Sequence, residues 1–213
     1  MIAIIDYGMG NLQSIKNAFE LLGEEVKIVT DPNDLRKAAA IVLPGVGAFG
    51  DGMKNLRERG FLPALQEEVI KEKKLYLGIC LGLQFLAKTS EEHGMHAGLG
   101  WIDGEVKRIR PKTPGFKIPH IGWNEAISSG KNILFEGLER KETFYFVHSY
   151  TLSLSPPEAE IVTSTCWHGA EIVASIHKEN IFGVQFHPEK SQGAGLKVLE
   201  NFCRFVHQLP GQS

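Results

Sequence analysis

The segment Gly78–Gly82 reads glycine, any residue, cysteine, any residue, glycine, with Cys80 at its centre. It lies between an apolar run typical of a buried strand and the start of a predicted helix, which is the context of a nucleophile elbow. Neighbouring backbone passes close to such a turn, so a Cβ would clash and glycine is required. Free amide groups and the positive dipole end at the start of the helix favour the reactive thiolate. We therefore predict that Cys80 is a nucleophile and that the N–H of Leu81 donates to an oxyanion.

The other two cysteines, Cys166 and Cys203, are predicted to be structural. Cys203 lies among apolar residues of the last predicted helix, and Cys166 lies in a strand or its turn. Burial without reactivity is a common fate of cysteine. A sparse set of three cysteines does not resemble a disulfide framework, which favours a cytoplasmic location.

His187 differs from the other seven histidines because it ends a predicted strand and is followed by Pro188 and Glu189. Pro188 prevents the strand from continuing. Glu189 stands two residues on, where its carboxylate could reach the imidazole and fix its tautomer. An isolated His-Pro-Glu is more often a solvent-facing turn. Together with the Cys80 elbow, it predicts a Cys80–His187–Glu189 triad, with His187 carrying the proton for the leaving group.

Strand and helix signals alternate in the first half of the chain. A continuous apolar run at Ile2–Ile5 predicts a strand that is covered on both faces, and three further strands are predicted at Val26–Val29, Ile41–Leu43 and Leu75–Ile79. Amphipathic segments separate them, and Asn11 is a candidate N-cap for the first helix. This alternation predicts an α/β fold, with a mostly parallel central sheet and helices on both faces.

The second half changes character and predicts extra strands separated by turns. The expected strands cover residues 104–109, 144–150, 161–165, 171–176 and 181–186, and a final helix covers residues 195–207. No repeat or linker interrupts the sequence, so we predict one domain over residues 1–213.

Composition excludes several classes of function. The 213 residues carry a formal net charge of −2, with 43% hydrophobic and 23% charged residues, which is ordinary for a globular protein. The near-neutral charge gives no footprint for nucleic acid or a membrane surface. No apolar run approaches the ~18 to 20 residues that a membrane helix needs. No histidine pair has convincing metal-ligand spacing, so we predict no metal and no cofactor.

The elbow segment Gly78–Gln84, followed far downstream by Phe186–Glu189, resembles the class I (triad type) glutamine amidotransferases. The resemblance implies a flavodoxin-like fold, with the elbow at the carboxyl end of a central strand. It also implies the chemistry: the cysteine attacks the side-chain amide of glutamine, ammonia leaves, and water hydrolyses the glutamyl thioester.

Within that family, four segments are similar to the glutaminase subunits of imidazole glycerol phosphate synthase, in histidine biosynthesis. These segments are Asp6–Leu12, Pro44–Phe49, Pro119–Asn124 and His187–Ser191. Leu83 agrees with this narrower resemblance, because other amidotransferases often carry a histidine just before the glutamine of the elbow.

The resemblance also implies roles for further residues. Pro44–Gly47 matches the family's oxyanion loop. The resemblance does not decide whether the N–H of Val46 or that of Gly47 donates to the oxyanion. The family positions that contact the substrate glutamine correspond to Gln84, His148, Ser149 and Tyr150. The implied partner is a (βα)8-barrel cyclase subunit, in a heterodimer that makes imidazole glycerol phosphate and the AICAR nucleotide. Candidate interface residues are Asn11, Trp123 and Lys190.

Three alternatives remain open at this point. The first is a cysteine peptidase-like hydrolase on a similar scaffold. The second is the glutaminase of vitamin B6 biosynthesis, against which the segments Pro119–Asn124 and Lys190–Ser191 argue. The third is a non-catalytic subunit with a decayed site, although every triad residue is present.

Overall fold

A computed structural model describes residues 1–130 and 132–208, so residue 131 and the last five residues of the predicted domain lie outside it. The first half contains β1 (Ile2–Ile5), α1 (Leu12–Leu21), β2 (Val26–Val29), β3 (Ala40–Gly45), α2 (Phe49–Glu58), α3 (Phe61–Leu65), β4 (Leu75–Cys80) and α4 (Leu81–Gln84). A π-helix, Gln66–Lys71, directly continues α3.

The second half is built mainly from strands, as its sequence predicts. It contains β5 (Ala87–Ser90), β6 (His96–Ala97), β7 (Ile102–Arg108), β8 (His120–Ser128), β9 (Lys141–His148), β10 (Tyr150–Leu154), β11 (Val162–Trp167), β12 (Glu171–Lys178), β13 (Ile181–Val184) and α5 (Gln192–His207). A short 3₁₀ helix, Pro188–Lys190, separates β13 from α5.

Within the described ranges, the strands form a sheet of nine in the order β2-β1-β3-β4-β13-β12-β11-β8-β9. The first five are parallel and follow the flavodoxin-like order, in which ligands bind outside the carboxyl ends of the strands. The remaining pairs are antiparallel. The predicted α/β fold with extra antiparallel strands is therefore confirmed. A second sheet, β10-β7-β5-β6, lies beside it.

Four of the five parallel strands, β1, β3, β4 and β13, are buried on both faces, because their successive side chains enter two different cores, whereas β2 at the edge is only partly buried. Ile2 and Ile4 of β1 pack in the core that contains α1 and α5. Ala3 and Ile5 pack in the core that contains α2, α3 and the second sheet. A strand covered in this way needs apolar residues at every position, which explains its continuous apolar sequence.

The segments around Ser149 and Pro119–Asn124 differ from the sequence-based expectation. The strand expected over residues 144–150 is two strands, β9 and β10, with Ser149 between them. β8 was not expected, because Pro119–Asn124 was interpreted only as a motif. In the described part of the chain, no helix is long and apolar enough to cross a membrane.

Candidate active site

Cys80 is the last residue of β4, and its backbone has φ 54° and ψ −102°. Residues other than glycine rarely adopt this backbone conformation, so the turn at Cys80 is strained. A Cβ on Gly78 would lie 2.5 Å from the carbonyl oxygen of Gly82, and a Cβ on Gly82 would overlap the carbonyl oxygen of Leu43. Glycine is thus required at both positions because neighbouring backbone leaves no room for a Cβ, which is the geometry expected of an elbow.

The helix after Cys80 is shorter than the dipole argument assumed. α4 ends at Gln84, and the chain turns into β5 at Ala87. A single turn of helix aligns too few peptide units to give a substantial macrodipole. The expected dipole contribution to a thiolate is therefore small, and what remains is the set of amide groups at the start of the turn.

The sheet brings His187 beside the elbow. β13 pairs with β4 in parallel, with Val184 opposite Ile79, so both strands end at the same edge. The backbone of His187 is then held, because its N–H donates to the carbonyl of Tyr145 at 2.9 Å. The Ser191 hydroxyl donates to the carbonyl of His187 at 2.6 Å.

His187 and Glu189 form a buried pair. Nδ1 of His187 lies 2.8 Å from Oε1 of Glu189, and both side chains are almost fully enclosed. A carboxylate accepts, so Nδ1 carries the proton and Nε2 is the atom that can exchange one with Cys80. In the described residues Nε2 has no hydrogen-bond partner of ordinary geometry, nor does Oε2 of Glu189.

The electrostatic surroundings favour a charged imidazole. Burial alone would lower the pKa of His187, but its interactions with Cys80 and with the Glu189 carboxylate outweigh that effect. Together they raise the pKa of His187 to about 10. The imidazole and the thiol are thus close enough to interact, and His187 is set to hold a proton at neutral pH.

A cavity of about 290 Å³, called here the Cys80 cavity, is lined by Cys80. It gathers nine of the residues singled out from the sequence, together with Glu92 and Val147: Val46, Gly47, Cys80, Leu81, Gln84, His148, Ser149, Tyr150 and Lys190. A larger cavity of about 780 Å³ lies among Asn33, Arg36, Glu67 and Lys74, but it contains no nucleophile.

The loop after β3 forms one wall of the Cys80 cavity. Gly45 pairs with Cys80 across the sheet, and Gly47 has φ 113°, a conformation that glycine adopts without strain. A Cβ on Gly45 would overlap the hydroxyl of Tyr7. That hydroxyl is buried and has no hydrogen-bond partner in the part of the chain described here. Burial, and then the proximity of Cys80, raises the pKa of Tyr7 well above its usual range.

Comparison with known proteins decides the family. The sequence profile of "Glutamine amidotransferase class-I" matches residues 3–205. This chain belongs to the class I glutamine amidotransferases. It is therefore a glutamine-hydrolysing enzyme.

Two similar proteins of this amidotransferase family are named as imidazole glycerol phosphate synthase subunits. "Subunit HisH" of Moorella thermoacetica is 49% identical over 205 residues, which cover 96% of this chain and 95% of that protein. "Subunit HisH 1" of Campylobacter jejuni (strain 81-176) is 48% identical over 204 residues, covering 96% of this chain and all of that protein. A solved structure, "Crystal structure of glutamine amidotransferase", has a TM-score of 0.74 at 20% identity and shares the fold. That match covers 97% of this chain and 100% of the solved one.

Two residues of the amidotransferase site were missed from the sequence. Glu92 lines the Cys80 cavity, and its Oε2 accepts a hydrogen bond from the N–H of Phe49 at 2.7 Å. Gln185 is fully buried, and its amide nitrogen lies 3.6 Å from Sγ of Cys80. Neither stands in a motif for cysteine chemistry, and only the position of Gln185 two residues before His187 was a signal.

The glutamine-contacting candidates are partly engaged within the amidotransferase itself. The side-chain nitrogen of Gln84 donates to the carbonyl of Tyr150 at 2.9 Å and to Oε1 of Gln185 at 3.1 Å. Its carbonyl oxygen is then the atom left for a ligand. His148 contacts the same Tyr150 carbonyl through Nδ1 at 2.9 Å, so Tyr150 is held from two sides.

The three interface candidates lie in two places. Trp123 on β8 is half exposed, and its ring meets that of Tyr145 edge-on at 6.0 Å. Nζ of Lys190 lies 5.7 Å from the centre of the same Tyr145 ring. Trp123, Tyr145 and Lys190 therefore form one continuous surface at the Cys80 cavity. Asn11 caps α1, and its side chain accepts from the N–H of Ser14 and donates to the Ser14 hydroxyl.

Proposed function

We propose that this chain is the glutaminase subunit of an imidazole glycerol phosphate synthase and acts in histidine biosynthesis. It hydrolyses glutamine to glutamate and ammonia and delivers the ammonia to a cyclase partner. The observation that carries the proposal is the Cys80 cavity, with the His187–Glu189 pair at the sheet edge beside its nucleophile. The subunit assignment is supported by relatives that are matched over almost their whole length.

In the proposed reaction, the Cys80 thiol gives its proton to Nε2 of His187, Sγ attacks the side-chain amide carbon of glutamine, and the carbonyl electrons move to the oxygen. When the C–N bond breaks, His187 gives its Nε2 proton to the nitrogen and ammonia leaves. Water then attacks the glutamyl thioester while His187 takes one of its protons. The C–S bond breaks, Sγ takes the proton back from Nε2 of His187, and glutamate leaves, while the Glu189 carboxylate holds Nδ1–H of the imidazole throughout.

The oxyanion needs donors that point at the position where negative charge develops. The Leu81 N–H is the proposed first donor, and the second comes from Val46 or Gly47. We expect the N–H of this loop to point away from the oxyanion position in the free subunit. The peptide then turns when the partner docks with its acceptor bound. The motivation is Gly45 and Gly47, whose missing side chains allow a peptide to turn. Full glutaminase activity of the free subunit would contradict this idea.

Glu92 is the proposed contact for the α-ammonium group of glutamine. It is the acidic residue among those that line the Cys80 cavity, and the backbone donor Phe49 already fixes one of its oxygens. A fixed carboxylate binds a substrate ammonium at low cost in side-chain entropy. Gln84, His148, Ser149 and Tyr150 form the rest of the proposed glutamine site.

The proposed partner is a (βα)8-barrel cyclase subunit, and the proposed location is the cytoplasm. Free ammonia is mostly protonated at neutral pH, so a direct transfer to the partner avoids its loss. Trp123 and Lys190, which share the Tyr145 ring, are the proposed contact surface at the cavity, with Asn11 as a further contact. Exposed tryptophan is enriched at interface hot spots.

The test is ammonia release from glutamine by the subunit alone, and by the subunit with a cognate cyclase and its nucleotide substrate. We expect low activity alone, a large rise in the complex, and loss of both in Cys80→Ala. Peptide cleavage without glutaminase activity would favour the peptidase alternative. Stimulation by the protein partner of vitamin B6 biosynthesis, and not by the cyclase, would favour that glutaminase. A Cys80→Ala variant that matches the wild type would favour a non-catalytic subunit.

A further inference from the structure

A chain of hydrogen bonds runs through the interior from β8 to the wall of the Cys80 cavity. The Asn124 side-chain nitrogen lies 3.1 Å from Nε2 of His120. Nδ1 of His120 lies 3.0 Å from Nε2 of His148. Nδ1 of His148 lies 2.9 Å from the carbonyl oxygen of Tyr150. We call these four groups the histidine relay.

The chemistry of its ends fixes every proton in the histidine relay. The Tyr150 carbonyl can only accept, so Nδ1 of His148 carries a proton and its Nε2 accepts. Nδ1 of His120 must then donate, which leaves its Nε2 to accept from Asn124. The amide of Asn124 is oriented independently, because its nitrogen also donates to the carbonyl of Trp167 at 2.9 Å and its oxygen accepts from the N–H of Glu125 at 2.8 Å.

Both imidazoles of the relay are neutral at physiological pH. Burial, with a contribution from His148 and His168, lowers the pKa of His120 to about 3. Burial is also the largest cause for His148, whose pKa is lowered to about 4 despite its bond to the Tyr150 carbonyl. A neutral ring keeps one donor and one acceptor, which is what a one-directional chain requires.

Aromatic packing leaves His120 little freedom to change its orientation. Its ring is stacked between Phe146, at 4.8 Å, and His168, at 4.0 Å. His168 is itself held, because its Nε2 contacts the carbonyl of Lys117 at 2.8 Å. His120 is buried, whereas its neighbours on β8, Ile121 and Trp123, are exposed.

We propose that His120 is a positioning residue of the glutamine site, an inference that rests on the proposed function. It holds the ring of His148, which holds the Tyr150 carbonyl against which Gln84 is also fixed. Because it lies on β8, three residues before Trp123 of the proposed contact surface, it also links the position of that strand to the Cys80 cavity. His120 does not itself line the cavity.

The test is a set of steady-state measurements of glutamine hydrolysis in the complex with the cyclase. His120→Phe keeps a flat ring between Phe146 and His168 but removes both hydrogen bonds. We expect its KM for glutamine to rise about tenfold, the size expected for losing the one bond that leads to the glutamine site, that to His148, with a much smaller change in kcat. His120→Gln, whose amide retains a donor and an acceptor, is expected to restore much of that loss.

A control for replacing a stacked imidazole is His177→Phe, at a histidine that is less buried than His120. His177 also stacks on a phenylalanine, Phe182 at 4.2 Å, and also contacts a carbonyl, that of Glu179 at 2.7 Å. It lies on β12 and does not line the Cys80 cavity. A purely structural loss would give the two histidine variants similar kinetics, whereas the relay predicts a KM effect only for His120.

A double-mutant cycle with His148→Phe decides whether His120 acts through His148. If it does, adding His120→Phe to the His148→Phe background changes KM little further. Multiplicative effects of the two substitutions, or a wild-type KM in His120→Phe, would overturn the inference while leaving the glutaminase assignment intact. Absence of glutaminase activity from the wild-type complex would instead overturn the proposed function, and this inference with it.

Discussion

Nδ1 of His187 lies 2.8 Å from Oε1 of Glu189, and the two buried side chains are separated in sequence by a single proline. Pro188 starts a 3₁₀ helix that ends the extended backbone and returns Glu189 beneath the imidazole. The pair is thus assembled by local sequence. Its position beside Cys80 depends on the parallel pairing of β13 with β4.

Removing the negative charge of Glu189 tests the proposed role of the His187–Glu189 pair. Glu189→Gln can still accept from Nδ1 but supplies no negative charge, and charge-assisted hydrogen bonds are about twice as strong as neutral ones. We expect kcat for glutamine hydrolysis to fall by at least about tenfold. In NMR titrations the pKa of His187 should move down. An unchanged His187 titration would contradict the proposed role of the carboxylate.

Stability at alkaline pH tests the raised pKa of His187. Its pKa is about 10 in the folded chain, against an ordinary value of 6.5, so folding binds a proton between these values. The stabilisation is fully present below about pH 6.5 and is lost as pH rises through about 10. The free energy of unfolding should therefore fall across this window, and should fall less in His187→Gln. Equal slopes in denaturant titrations would contradict the assignment.

Stability at acidic pH tests the histidine relay with the opposite sign. His120 and His148 have folded pKa values of about 3 and about 4, so the unfolded chain binds more protons below about pH 6.5. We expect the free energy of unfolding to decrease as pH falls from about 6.5 to about 4. A variant with phenylalanine at both positions should lose part of this dependence. Full retention of the slope would show that other groups cause it.

A pair of glycine substitutions tests the elbow. The new Cβ of Gly82→Ala would overlap the Leu43 carbonyl, which belongs to the backbone of a central strand and can shift only at a large cost in free energy. We expect strong destabilisation, by several kcal/mol on the order of other overpacking changes. The control is Gly193→Ala in α5, which has open space around the new methyl and should be neutral or stabilising by up to ~1 kcal/mol. Thermal unfolding of both variants measures the contrast.

The parallel half of the fold was predictable because its strands, apart from β2 at the edge, are covered on both faces. The predicted bounds of Ile2–Ile5 and Val26–Val29 are those of β1 and β2. β8 was missed because it is covered differently: exposed Ile121 and Trp123 interrupt the pattern expected of a buried or amphipathic strand. The break at Ser149 depends on pairing with two different sheets, which a single apolar run does not reveal.

The candidate site was predictable to the extent that its geometry is local. Sequence spacing placed Cys80 at an elbow and Glu189 beside His187, as the structure describes them, while their catalytic roles remain predictions. Long-range packing brings Glu92 to the Cys80 cavity, through the second sheet, and Gln185 to Sγ of Cys80, through β13. The length of α4 was likewise set by tertiary structure, because β5 must begin at Ala87 to pair with β7.

Mass spectrometry of the acid-quenched chain during glutamine turnover tests the central claim most directly. We predict a glutamyl adduct on Cys80 in the complex, absent from Cys80→Ala and retained in Cys166→Ala and Cys203→Ala, although all three cysteines are buried. Ammonia release should follow the same pattern across the variants. An adduct on another cysteine, or ammonia release that persists in Cys80→Ala, would contradict the account.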